Sequence, residues 1–184
     1  MAQVHTSDFD NAIKTVLAKL NGISTLYSDQ YELLKSLIEN DNIFYTNSTN
    51  SGKTLPTLLY PEILKQLNSQ GYQFPPKPKV LFVTALNSLQ LSLVNSAQTL
   101  GIACDAVTSK NLKGLLDSDD VSTLFISPET LKLPNVTKLL LGYRSTFVLK
   151  VIDECHLGKR RDFAQLMCIF VYIIIRDFQL WLKI

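Results

Sequence analysis

Asn42-Ile43-Phe44-Tyr45-Thr46-Asn47-Ser48-Thr49-Asn50-Ser51-Gly52-Lys53-Thr54-Leu55-Pro56-Thr57-Leu58-Leu59 is the stretch that decides the fold. Its first five residues are short, apolar and β-prone, and read as a buried strand. The residues that follow, up to Gly52, are polar and make a loop. From Lys53 to Leu67 apolar side chains return at helical spacing, so a helix opens directly after the glycine.

Working outward, the alternation continues in both directions. Upstream, Asp8 to Leu20 carries Phe9, Ile13, Val16, Leu17 and Leu20 on one helical face, with Asn21-Gly22 as the stop signal. Ser28 or Asp29 caps a second helix bearing Leu33, Leu34, Leu37 and Ile38. Downstream, the proline-rich connector from Gln70 to Pro78 leads into the apolar strand Lys79 to Thr84. A helix from Ser88 to Leu100 follows, closed by Gly101. Ile102 to Val107, Val121 to Ser127 and Thr146 to Ile152 are three further strands. Strands that alternate with helices and are apolar throughout predict an α/β fold: a mostly parallel sheet with helices on both faces. Ligands of such sheets bind at the carboxyl ends of the strands, and the polar motifs fall there.

The first polar motif is the loop from Asn47 to Thr54. A phosphate-binding loop needs converging backbone N–H groups, a lysine that reaches the β/γ oxygens and a hydroxyl for Mg²⁺. Asn50, Ser51, Gly52, Lys53 and Thr54 fill the end of that pattern, and the dipole of the helix they open favours an anion. Asn47 and Asn50 stand where glycine or small residues are usual. The same triplet also begins ordinary capped helices. The second motif, Val151-Ile152-Asp153-Glu154-Cys155-His156, ends an apolar strand 100 residues after Lys53 (153 − 53). Adjacent carboxylates there suit an ATPase: Asp153 holds Mg²⁺ and Glu154 polarises the attacking water.

Together, Gly52-Lys53-Thr54 and Asp153-Glu154-Cys155-His156 resemble motifs I and II of superfamily 2 DExH helicases. The resemblance implies a RecA-like P-loop domain that binds ATP and Mg²⁺, with Lys53, Asp153, Glu154 and His156 catalytic and Thr54 and Asp153 on the metal. Gln30, in Tyr27-Ser28-Asp29-Gln30, resembles the glutamine that reads adenine. Thr84-Ala85-Leu86 resembles motif Ia, and Ser127-Pro128-Glu129 resembles a motif that precedes the DExH strand in RecQ-like enzymes. These segments imply contacts of Thr84, Ser127 and Glu129 with a nucleic-acid backbone. The Leu86-Asn87-Ser88-Leu89 and Leu100-Gly101-Ile102 stretches add to the RecQ likeness, which implies a 3′–5′ DNA helicase with DNA repair as its setting. The Asp-Glu-Cys-His tetrad also resembles that of Dicer and RIG-I-like RNA helicases, the competing likeness, so DNA is favoured over RNA and RNA stays open. The loop Leu157-Gly158-Lys159-Arg160-Arg161-Asp162-Phe163 departs from that pattern, being shorter and without tryptophan.

The likeness covers Leu26 to Phe163. It divides the chain into an N-terminal helical extension at 1–25, a partial ATP-binding domain at 26–165 and an apolar tail at 166–184. The family's second RecA-like domain is expected as a partner and is absent from these 184 residues. A nucleotide-binding module without unwinding activity is the alternative, favoured by Asn47 and Asn50. A small P-loop kinase or GTPase lacks support from Gln30 and the Ser-Pro-Glu motif.

Bulk properties set the remaining bounds. The composition is 46% hydrophobic and 18% charged, enough for a real core. A net charge of +2 excludes binding by global basicity. Three scattered cysteines and an N-terminus without signal-peptide features suggest a reducing compartment, nucleus or cytoplasm. Leu166 to Ile175 is an unbroken apolar run, too short for a membrane span, which needs roughly 20 residues. It reads as a buried helix or strand, or as a non-native tail.

Overall fold

The computed structural model describes residues 4–39, 42–46, 51–84, 87–152 and 171–175. The chain runs through α1 (Thr6–Leu17), α2 (Ser28–Glu39), β1 (Asn42–Thr46), α3 (Thr54–Ser69), β2 (Lys79–Val83) and α4 (Asn87–Thr99). It continues through β3 (Cys104–Ala106), α5 (Leu112–Asp117), β4 (Thr123–Ile126), α6 (Pro128–Leu131), α7 (Pro134–Gly142), a 3₁₀ turn at Arg144–Thr146, β5 (Phe147–Ile152) and β6 (Val171–Ile175).

The six strands form one sheet in the order β1-β6-β5-β2-β4-β3. β2 is parallel to β4 and β5, and β3 is parallel to β4. β6 runs antiparallel to both β5 and β1, so β1 points the same way as β5. Five strands therefore share one direction and β6 alone opposes it. The α/β fold with a mostly parallel sheet is as the sequence predicts. The apolar tail contributes its described residues, Val171–Ile175, as this inverted strand between β1 and β5.

Alternation along each strand sends side chains to two cores. Val80, Phe82, Phe125, Leu149 and Val151 face a cluster filled by Phe9 and Ile13 of α1, Leu33 and Leu34 of α2, Leu59 and Ile63 of α3, and Val94 of α4. Leu81, Val83, Leu124 and Ile126 face the other, closed by Leu112 and Leu116 of α5 and by Val136 and Leu140 of α7. Burial on both faces explains why these strands read as continuous apolar runs. Phe82 and Phe125 are cross-strand neighbours with ring centroids 5.2 Å apart, a pair worth about 1 kcal/mol beyond its area.

Two details differ from the sequence reading. α1 stops at Leu17, three residues before the predicted Leu20, because the following segment is tied elsewhere. The Asn21 N–H donates to Leu100 O at 3.1 Å and its side chain to Thr99 O at 3.1 Å, fastening it to the end of α4. The N-terminal extension is also no appendage, since five of α1's side chains lie in the first core. Lys79 opens an otherwise apolar strand without an unpaired ammonium: it donates to Ser118 O at 2.7 Å and Val121 O at 2.6 Å. Burial pushes its pKa down.

Candidate nucleotide and nucleic-acid site

Parallel direction places the strand ends together. Register puts Val83 beside both Ile126 and Ile152, and Ile152 across β6 from Phe44 by way of Ile173. The C-terminal ends of β1, β5, β2 and β4 therefore line one edge of the sheet. β1 leads there to the loop before α3, β2 to Thr84 and β4 to Ser127.

At the first of these ends, Gly52 adopts φ +71°, a left-handed backbone that favours glycine. Lys53 is the residue before α3 and Thr54 its first residue, with no side-chain cap on that helix start. The 16-residue helix thus presents its N-terminus to the edge. Ser51 Oγ is buried and has no hydrogen-bond partner among the described residues.

Gln30 joins α2 to this loop. It is 4% exposed; its Nε2 donates to Gly52 O at 3.0 Å, and its Oε1 accepts from the Tyr27 N–H at 3.0 Å. The Gly52 carbonyl also accepts from the Leu55 N–H at 3.1 Å, so one oxygen ties the loop to two helices. A Cβ on Gly52 would stand 2.4 Å from Gln30 Nε2, so a larger residue here would push the Gln30 side chain aside. Tyr27 is 73% exposed beside this junction.

Thr84 continues β2 with its N–H on Ile126 O at 3.1 Å. It is fully buried, and its Oγ1 has no partner among the described residues. Ser127 caps α6: its Oγ accepts from the Thr130 N–H at 3.2 Å and donates to Thr130 Oγ1 at 3.1 Å. Glu129 is exposed in the first turn of α6, where a carboxylate complements the helix dipole.

Asn50, Asp153, Glu154 and His156 lie outside the described residues, as do Ala85 and Leu86. Of the sequence-predicted residues, Tyr27, Gln30, Ser51, Gly52, Lys53 and Thr54 meet at one end of the edge, and Thr84 and Ser127 follow adjacent strands further along it. Sequence reasoning missed Gln90, a buried α4 side chain whose Nε2 donates to Phe125 O and pins the helix to β4. A polar residue at an inward helical position was the available signal.

A mostly parallel sheet with a glycine-bent loop opening a helix at its carboxyl edge defines a RecA-like α/β domain of the phosphate-loop type. Residues 11–178 match the family described as the Type III restriction enzyme, res subunit, and the chain belongs to that family, an N-terminal domain of superfamily 2 helicases. Membership implies ATP binding, typically with Mg²⁺, and an association with nucleic acid. No curated protein matches the chain. Among the described residues no helix is long and apolar enough to cross a membrane.

The geometry fits a nucleotide triphosphate. The N-terminus of α3 offers backbone N–H groups of the kind phosphate oxygens accept from, and the Ser51 hydroxyl just before it has no partner among the described residues.

Proposed function

We propose that the chain is the ATP-binding domain of a RecQ-like DExH helicase that acts on DNA with 3′–5′ polarity. The bond between Gln30 and Gly52 carries this reading, because it joins a base-reading side chain to a phosphate-binding backbone. In it, Tyr27 and Gln30 hold the adenine. One N–H and one lone pair of the Gln30 carboxamide remain for the base edge, the complementary pattern for adenine N7 and N6. Ser51 and Gly52 cradle the phosphates with Asn50, and Lys53 reaches the β/γ oxygens. Thr54 and Asp153 are the ligands for Mg²⁺, which when bound would neutralise charge on those oxygens. Glu154 orients the attacking water and His156 completes the tetrad. Thr84, Ser127 and Glu129 face the nucleic-acid strand, with Leu86-Asn87-Ser88-Leu89, Leu100-Gly101-Ile102 and Ser127-Pro128-Glu129 supporting the RecQ assignment and hence DNA.

Calorimetry with Mg²⁺-ATP tests the site. Lys53→Ala should abolish measurable binding, since no other cation stands in the loop from Asn47 to Thr54; equal binding by both proteins would remove the phosphate loop. Glu154→Gln, joined to a second RecA-like domain, should keep ATP binding and lose turnover. Unimpaired hydrolysis would take Glu154 out of the mechanism. A nucleotide-binding module without unwinding is the second reading, favoured by Asn47 and Asn50 in the loop. It predicts binding without turnover even in the completed protein.

A further inference from the structure

Gln30 is buried and makes two hydrogen bonds, so whatever fixes α2 fixes the base end of the site. Its neighbour Tyr31 faces the other way. The phenol of Tyr31 donates to Asp10 Oδ1 of α1 at 2.7 Å, and its ring packs against Phe9 at 5.7 Å between centroids, tilted by 54°. Asp10's carboxylate holds the Tyr31 proton firmly enough to push the phenol up to about 12. α1 is itself anchored at a second place, where Tyr72 OH donates to Asp8 Oδ2 at 2.8 Å and accepts from the His5 N–H at 3.0 Å. The core contacts of Phe9, Ile13 and Val16 do the rest. A chain of direct contacts thus runs from α1 through Asp10 and Tyr31 to Gln30 and Gly52.

Consecutive helical residues point about 100° apart, so Tyr31 and Gln30 read two different neighbours from one turn. A shift of that turn that broke the Tyr31 bond would carry Gln30 off the Gly52 carbonyl. The phosphate side depends on it less, because Leu55 N–H still holds Gly52 O without Gln30.

We propose that Asp10 and Tyr31 are positioning residues for base selection: their hydrogen bond sets Gln30 and so the preference for adenine, with little effect on the grip on phosphate. The proposal rests on the nucleotide reading above. It assigns a role in the site to α1, which the sequence treats as an extension.

The experiment measures dissociation constants of the 184-residue chain for Mg²⁺-ATP, Mg²⁺-GTP and inorganic tripolyphosphate. The proteins are the unaltered chain, Tyr31→Phe, Asp10→Ala and Asp10→Asn, each checked by thermal melting. Tyr31→Phe and Asp10→Ala should weaken ATP about fivefold, the equivalent of one net hydrogen bond. GTP and tripolyphosphate should move less than about twofold, so that the ATP-to-GTP preference falls by nearly the whole ATP loss. Asp10→Asn keeps an acceptor for the phenol and should restore most of that preference. Equal weakening of all three ligands would show a merely structural bond and overturn the proposal, as would unchanged ATP binding in both variants. If the unaltered chain bound tripolyphosphate but showed no preference for ATP, base selection would fall with the phosphate loop intact. Failure to bind any of the three would instead overturn the nucleotide reading itself, and this proposal with it.

Discussion

The two ends of the ligand-facing edge are built differently. At the phosphate loop, a polar side chain crosses 22 residues of sequence to bond backbone, and one carbonyl serves two donors. At the ends of β2 and β4 the candidate contact residues do no such work across distance; the long-range bond there belongs to Gln90, which donates to Phe125 O from α4. Ser127 spends its hydroxyl three residues away on Thr130, and the buried hydroxyl of Thr84 has no partner among the described residues. Each end keeps one buried hydroxyl without a partner among the described residues, Ser51 at the first and Thr84 at the second, but only at the first does a candidate ligand-contacting side chain brace the loop backbone. A buried hydroxyl without a bond costs roughly 1–3 kcal/mol, a cost that a phosphate oxygen brought by a ligand would relieve.

Substitutions can break this contrast or sharpen it. The largest effect belongs to Gly52→Ala. A left-handed backbone costs alanine about 1 kcal/mol. The new Cβ also displaces Gln30 Nε2 from 2.4 Å, forfeiting two hydrogen bonds of about 1 kcal/mol each. A loss near 3 kcal/mol should appear as lowered stability of the free protein in a urea melt. In the background of Gln30→Ala the same step should cost only the backbone strain. Additive losses in that double-mutant cycle would mean the two residues do not constrain each other.

Ser127→Ala comes next. Removing the cap should lower stability by about 1 kcal/mol in a urea melt and, because Ser127 and Glu129 of the same turn face the strand in the proposed function, weaken single-strand affinity along with it. A large loss of strand binding with unchanged stability would reverse the assignment. Thr84→Val has the smallest expected effect on the fold: stability should hold or rise slightly, since an unpaired buried hydroxyl is exchanged for a methyl of similar shape. Its signature lies in binding, with affinity for single-stranded DNA down about fivefold at low salt, one hydrogen bond to phosphate. A destabilisation above about 1 kcal/mol would show that the hydroxyl is bonded in the free protein.

Much of this was legible in the sequence, for reasons that differ by element. β2 was readable to within one residue and β4 to within two at its start and one at its end, because burial on both faces leaves an apolar run bounded by polar ends. The loop before α3 was readable because Gly52, Lys53 and Thr54 carry a spacing with its own chemistry. The direction of β6 was not, since apolar periodicity is the same for a parallel and an antiparallel strand. The end of α1 was missed because bonds to residues 99 and 100 set it, and those partners leave no local pattern. For the same reason the link from Asp10 to Tyr31 could not be read, although the resemblance did single out Gln30. That Gln30 closes on Gly52 required coordinates.

The inverted strand fixes where the chain between β5 and β6 is attached. Because β5 ends and β6 begins at the ligand edge, Ile152 and Val171 are both anchored there. Any connection between them starts and finishes at that edge of the sheet. It comprises the 18 residues from Asp153 to Phe170 (170 − 153 + 1), whose contour at roughly 3.5 Å per residue totals about 60 Å. Whatever that stretch carries has both of its covalent attachments at the edge where β1, β2 and β4 also end.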